Sequence, residues 1–321
     1  MRKKRRKLKK QVWYIIAALI FIPILTYAGI NVYEKEQYKK TYEYKFLQHG
    51  YTLEEYTLLK ETFPKNLDQF LTKEKNTLYI DIINEPYFIK DNFDAYIKYL
   101  EEAEKEISLS KTISIINSKT NNDFYSLDLK SDLSKKDLII VNKYYQLEKD
   151  FEPNDLVSIP TTYAWGSFGD VKIREIAYNA FLNMWHKAKE EGFYLMVKSG
   201  FRSYTSQETV YNDYLNKYGD TYADSIAARP GHSEHQTGLA MDIYSKENTN
   251  QKTFKDSQTA QWLFNNAHLY GFILRYPEDK VDLTGYNYES WHYRYVGKEV
   301  ATEIFNKNIT FEEYYAYYLE K

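Results

Sequence analysis

The hydrophobic and polar positions along the chain fall into three regimes. From Val12 to Ile30 there is no charged side chain, an apolar run of about 19 positions. At 1.5 Å per residue such a run spans about 28 Å as a helix, close to the hydrocarbon thickness of a bilayer, and it predicts a transmembrane helix. Residues 34–135 are largely polar and charged, with short apolar interruptions. Thr52 and Glu55 carry the spacing of a capping box that opens a helix to about residue 61, ahead of Pro64. A second helix is predicted over 92–106, where Phe93, Tyr96, Ile97, Tyr99 and Leu100 fall at amphipathic spacing, and residues 78–83 and 138–141 read as short β-favouring runs.

The third regime is more regular. Residues 171–191 place Ile173, Ile176, Ala177, Ala180, Phe181, Met184, Trp185 and Ala188 in a helical stripe that ends at Gly192. Strands are predicted at 193–198, 239–243, 271–275 and 291–296, and helices at 206–218, from Asp256 or Ser257 to 269, at 298–306 and at 311–319. Short strands separated by turns and flanked by helices predict an α+β fold with a small, mainly antiparallel sheet. The domain organisation expected is a basic patch and anchor over 1–33, a mainly helical spacer or accessory region over 34–135, and an α+β domain over 136–321.

Composition sharpens this picture in two places. The 321 residues include no cysteine, which excludes disulfides, a thiol nucleophile and thiolate zinc sites, so any zinc site has to be built from His and carboxylates. The net charge of −2 conceals an asymmetry: residues 2–10 hold eight basic side chains, no acid occurs before Glu34, and setting those eight aside leaves −10. Basic residues confined to one end argue against a nucleic-acid-binding body. Arg2, Lys3, Lys4, Arg5, Arg6, Lys7, Lys9 and Lys10 precede the apolar run, and Trp13, Tyr14, Tyr27 and Tyr33 suit its two interfaces. By the positive-inside rule the basic end stays in the cytoplasm and residues after about 34 lie outside the cell. A cleaved signal peptide, with Thr26 and Ala28 at positions −3 and −1, is the competing reading, and it too exports the body. The 34 tyrosines read first as a biased residue usage, rich in Lys, Asn, Ile and Tyr, with a carbohydrate-facing or wall-facing surface as the alternative.

All of the informative chemistry lies between Ser199 and His292. His235 offers an imidazole nitrogen and Asp242 a carboxylate oxygen, both ordinary zinc ligands, and Gly238 between them permits the chain to turn back so that the two converge. His292 supplies a third ligand. Three protein ligands leave a fourth position for water, the arrangement of a catalytic zinc. Glu289, three positions before His292, lies close enough to serve as a base without binding the metal. Zinc lowers the pKa of a bound water to about 7, and a carboxylate within reach can take its proton and later return it to a leaving amine. Arg202, at a predicted strand end, is the candidate to stabilise an oxyanion or fix a substrate carboxylate.

At these residues the chain resembles a known family. Ser233-x-His235-x-x-Gly238-x-Ala240-x-Asp242, with Gly200-Phe-Arg202-Ser203 before it and Glu289-x-Trp291-His292 after it, is similar to the VanY-type D-alanyl-D-alanine carboxypeptidases of the M15 zinc peptidases. The likeness covers about residues 135–310, with 138–145 as a lead-in. It implies that His235, Asp242 and His292 bind Zn2+, that Glu289 is general base and acid, and that Arg202, Gln207 and Ser233 contact substrate. The substrates implied are peptidoglycan stem peptides ending in D-Ala. Members remove the terminal residue of D-Ala-D-Ala peptides, act as L,D-carboxypeptidases on tetrapeptide stems, or cut dipeptides and internal wall peptides, and the shared motifs do not choose among these.

The competing readings are specific. His49, His186, His232 and His268 read as ordinary surface or packing residues, Trp291 as a packing residue that orients His292, and Gln207 and Ser233 as candidates for local backbone caps. Ser108-Leu-Ser-Lys111 matches the Ser-x-x-Lys element of serine-type penicillin-binding enzymes, but its Ser-Asp-Asn and Lys-Thr-Gly partners are missing. No His-Glu-x-x-His helix occurs. An inactive peptidoglycan-binding module is a rival from a different class, and Glu289 argues against it, since binding alone needs no base.

Overall fold

The structure, a computed structural model, describes residues 10–71, 74–165 and 170–320. Of the basic patch only Lys10 falls within them. The first helix, Lys10–Tyr38, is 29 residues long with Pro23 inside it and none of its side chains buried. At about 43 Å it is long and apolar enough to cross a membrane.

The chain divides into two compact units, Met1–Phe93 and a second from Asp94 onward. In the first, Thr52 Oγ1 accepts from the Glu55 amide at 3.1 Å and Glu55 Oε2 accepts from the Thr52 amide at 2.7 Å, closing the capping box that opens the helix Leu53–Thr62. Rings of Phe46, Tyr51, Phe63 and Phe70 form the interior beside Leu59. The expected strand at 78–83 is instead the helix Thr77–Asn84, capped by the Asn76 side chain. Its β-branched residues favour a strand locally, but Ile80, Ile82 and Ile83 are buried, and burial decides.

The second unit starts from residues that sequence grouping assigned to the spacer. Its helix Leu109–Asn117 buries Ile113, Ile115 and Ile116, and Ser114 donates to Glu313 near the end of the chain at 2.6 Å. The Ser-x-x-Lys element lies here and is explained by capping. Ser108 Oγ accepts from the Lys111 amide, while Lys111 Nζ pairs with Asp282 at 2.5 Å. Residues 138–141 form no strand. Ile139, Ile140 and Val141 are buried as irregular chain, and their carbonyls are met by side chains: Ile139 O by Arg294 at 2.8 Å and Ile140 O by Ser131 at 2.7 Å.

The central sheet has four strands, β1 (Leu195–Ser199), β2 (Ala240–Ser245), β3 (Phe272–Leu274) and β4 (His292–Tyr295), in the spatial order β1-β2-β4-β3 with every pair antiparallel. One face is covered by the helix Glu175–Glu190, whose Ala177, Phe181, Met184, Trp185 and Ala188 pack with Leu195, Val197, Met241 and Ile243. That helix starts later than its apolar stripe, because Lys172–Arg174 pairs with Leu156–Ser158 as a two-stranded ribbon with Ile173 buried. Gly192, at φ +89°, ends it as the sequence indicates. Helices Lys298–Lys307 and Phe311–Tyr314 close the chain, the latter running into a π turn at Tyr315–Leu319.

Candidate active site

Strand register assembles the site. Asp242 on β2 is the direct cross-strand partner of His292 on β4, and on its other side it pairs with Ser199 at the end of β1. His235 arrives from the turn Glu234–Thr237, which ends on Gly238 in the left-handed conformation. A Cβ there would lie 2.9 Å from Leu156 Cδ2 and 3.0 Å from Arg174 Cγ, so the left-handed backbone favours glycine and a side chain would have to displace both neighbours. Residues seven apart in sequence are thereby folded onto one point.

His235 Nε2 lies 3.5 Å from Asp242 Oδ1, and His292 Nδ1 lies 3.4 Å from the same oxygen. One donor atom from each of the three residues falls within 4.8 Å of the others. Asp242 Oδ1 is buried and has no hydrogen-bond partner. A tetrahedral ion with 2.0–2.1 Å bonds requires ligand atoms about 3.3 Å apart, so the set fits a zinc-sized ion with modest closure, and the orphaned oxygen is the group such an ion would satisfy. His235 Nδ1 is 2.7 Å from the carbonyl of Gly200, which fixes that nitrogen as a donor and frees Nε2. His292 presents Nδ1 instead. Its Nε2 points the other way, to Glu234 Oε2 at 3.5 Å.

Glu289 Oε2 stands 3.6 Å from His292 Nδ1, on the pocket side of the cluster. Burial lifts its carboxyl to about 7; the charge of His292 draws it down and that of Asp242 pushes it up. Burial also disfavours the Asp242 carboxylate, but His235 and His292 outweigh that effect and hold it well below its usual range. His235 is pushed below its ordinary value by burial, with Asp242 partly opposing. For His292 burial is overcome by the Asp242 and Glu234 carboxylates that face its two nitrogens and by the charge of Glu289, which raise it to about 9.

Were this set to bind zinc at neutral pH, binding would displace about one proton from His292, because only the deprotonated nitrogen can ligate. Apparent zinc affinity is expected to weaken by roughly tenfold for each unit of pH below about 9. Calorimetry in buffers of different ionisation heat counts that proton, and a count near zero would contradict the ligand set.

The cavity around these groups has a volume of about 130 Å³, and its walls include Arg202, Gln207, Ser233, Tyr276, Tyr286 and Trp291. Arg202 Nη1 donates to Gln207 Oε1 at 2.8 Å and Nη2 to Ser199 Oγ at 3.0 Å. No carboxylate among the described residues forms an ion pair with it. The Gln207 amide is engaged at both ends, since its Nε2 donates to Ala228 O at 2.7 Å, so its part in this arrangement is to hold Arg202. Ser233 is buried on the cavity wall. Trp291 stacks on Tyr244 at 6.1 Å with the ring planes 8° apart. His186 is exposed, His232 bonds to Asn142 O, and His268 stacks on Phe305, all away from the cluster.

A sequence model described as VanY, D-alanyl-D-alanine carboxypeptidase, matches residues 170–298. The Bacillus subtilis (strain 168) protein named as carboxypeptidase YodJ is 38% identical over 240 residues, which cover 70% of this chain and 88% of that protein. The chain belongs to the VanY carboxypeptidase family. Among other VanY-like relatives, the bifunctional D-Ala-D-Ala dipeptidase and carboxypeptidase VanXYC of Enterococcus gallinarum is 35% identical over 188 residues, covering 56% of this chain and 94% of that one. The solved LD-carboxypeptidase LdcB is 41% identical, with a TM-score of 0.55 over 61% of this chain and 94% of that one. The family assignment makes the chain a peptidase with an α+β fold and a small antiparallel sheet.

Sequence reasoning missed Glu234, Tyr276 and Tyr286. Glu234 stood in plain view between Ser233 and His235. A carboxylate flanked by two site residues was a usable signal, whereas the tyrosines became site residues only through the path of the chain between β3 and β4.

Proposed function

We propose that this VanY-family member is a membrane-anchored, zinc-dependent carboxypeptidase that removes the C-terminal D-Ala from peptidoglycan stem peptides outside the cell. The observation that carries the reading is the convergence of His235 Nε2, Asp242 Oδ1 and His292 Nδ1 beside a Glu289 carboxyl lifted to about 7. His235, Asp242 and His292 would hold the ion. When bound, zinc supplies Lewis acidity and lowers the pKa of water toward 7.

Glu289 accepts a proton from the water that attacks the scissile carbonyl and delivers it to the departing amine. A carboxyl poised near 7 is suited to both halves of that cycle. Arg202, which forms no ion pair with a carboxylate among the described residues, binds the terminal carboxylate of the substrate in the forked geometry that guanidinium offers, and Gln207 and Ser199 hold it in place. Ser233 offers its hydroxyl from the same wall. The helix Lys10–Tyr38 acts as the anchor, with the basic run over 2–10 on the cytoplasmic side, and the chain between it and Phe93 acts as the spacer, ahead of a catalytic portion that begins at Asp94.

A second reading, release of D-Ala from tetrapeptide stems, is favoured by the likeness to the LD-carboxypeptidase LdcB. Incubating the protein with synthetic pentapeptide and tetrapeptide stems and weighing the products separates the two. Loss of one alanine from the pentapeptide alone is expected. Loss from the tetrapeptide alone would move the activity to the L,D class, and loss from neither would overturn both.

A further inference from the structure

Two orphaned atoms meet behind the cluster. Glu234 Oε2 and His292 Nε2 are both buried, neither has a hydrogen-bond partner, and they face each other across 3.5 Å. The other oxygen of Glu234 is fully engaged: Oε1 accepts from Arg275 Nε at 2.8 Å and from Arg294 Nη1 at 3.0 Å. Arg275 is in turn clamped by Glu312, with Nη1 to Oε2 at 2.8 Å and Nη2 to Oε1 at 2.5 Å. These two arginines and two glutamates are all at most 3% exposed.

Such a network is expensive to build as a source of stability alone. Desolvating buried ions commonly cancels their attraction, and apolar side chains of the same volume often serve as well. Its placement against one face of an imidazole offers a reason for it. A neutral histidine carries one proton, and the nitrogen that holds it cannot ligate a metal. His235 is set by the Gly200 carbonyl at Nδ1. Among the described residues His292 Nε2 makes no hydrogen bond, and the acceptor that faces it is Glu234 Oε2 at 3.5 Å.

We propose that Glu234 is a positioning residue that keeps the proton of His292 on Nε2, leaving Nδ1 free to face Asp242 and the metal. Arg275 and Arg294 hold the carboxylate by its far oxygen, so Glu234 stays turned toward Nε2 and does not swing in as a ligand itself. The inference rests on the reading of His292 as a ligand.

Glu234→Gln tests it, because an amide has one acceptor and one donor end. If its oxygen serves the two arginines, its NH2 faces His292 Nε2 and favours the tautomer protonated on Nδ1, which cannot ligate there. Zinc affinity, measured by competition with a chromogenic chelator, is expected to fall roughly 10- to 100-fold, as for loss of other outer contacts to metal-binding histidines. Glu312→Gln weakens the same network without touching Glu234, and is expected to lower the melting temperature while leaving zinc affinity within a few-fold. In the zinc-loaded wild-type protein, long-range 1H-15N spectra should show the His292 proton on Nε2, a result that does not depend on any variant folding. Unchanged zinc affinity in Glu234→Gln, an equal loss in Glu312→Gln, or a proton on Nδ1 of zinc-loaded His292 would overturn the proposal. Failure of the wild-type protein to bind zinc would instead overturn the underlying ligand assignment.

Discussion

Glu289→Gln is expected to leave zinc bound and to lower kcat for D-Ala release by about 10²- to 10⁴-fold, the usual contribution of a positioned acid-base group. At 1.36 kcal/mol per decade, the middle of that range is about 4 kcal/mol of transition-state stabilisation. The substitution keeps the shape of a side chain that is mostly buried between His292 and the cavity, so the fold should be little affected. Glu289 is not among the three converging ligand atoms, and the change in zinc affinity should amount only to a lost neighbouring charge, on the order of 1 kcal/mol. KM should change little, since Arg202 and its supports are untouched. Zinc content by atomic absorption and kcat on a pentapeptide stem check both halves. Loss of zinc together with activity would make Glu289 a ligand, and unchanged activity would remove it from the mechanism.

Much of this site was legible in the sequence because its chemistry is local. Gly238 sits between His235 and Asp242, Glu289 lies three residues before His292, and a single antiparallel pairing of β2 with β4 then unites the two motifs. The long amphipathic elements were legible for the same reason: the capping box at Thr52 and the stripe ending at Gly192 are encoded within a few turns of chain. Illegible features depended on distant partners. Residues 78–83 have strand-like composition, and only the aromatic interior around Phe63 and Phe70 makes a helix the better burial of Ile80, Ile82 and Ile83. Residues 138–141 are a continuous apolar run, Leu-Ile-Ile-Val, with no period that separates strand from buried loop, and their backbone is satisfied by Arg294 and Ser131, the first more than 150 positions away. Likewise Glu234, Arg275, Arg294 and Glu312 are scattered over the last third of the chain, and nothing local announces that they form one buried network. The tyrosine excess finds a partial account: Tyr51, Tyr244, Tyr276, Tyr286 and Tyr293 are buried in cores or beside the site rather than displayed on a surface.

Removal of the metal is expected to have an effect at least as large. His235→Ala deletes one of three ligands and should reduce zinc affinity by more than the roughly 10- to 100-fold that loss of an outer contact costs. It leaves the Gly200 carbonyl without its imidazole partner, a cost of about 1 kcal/mol to stability, so the variant should remain folded while emptied of zinc. The native protein stripped by a chelator provides the same test without substitution, and the most direct one. Release of D-Ala from a pentapeptide stem should be absent from the stripped protein and should return in full on addition of one equivalent of zinc. Full activity in the stripped protein, or no release after one equivalent has bound, would contradict the assignment of this chain as a zinc carboxypeptidase.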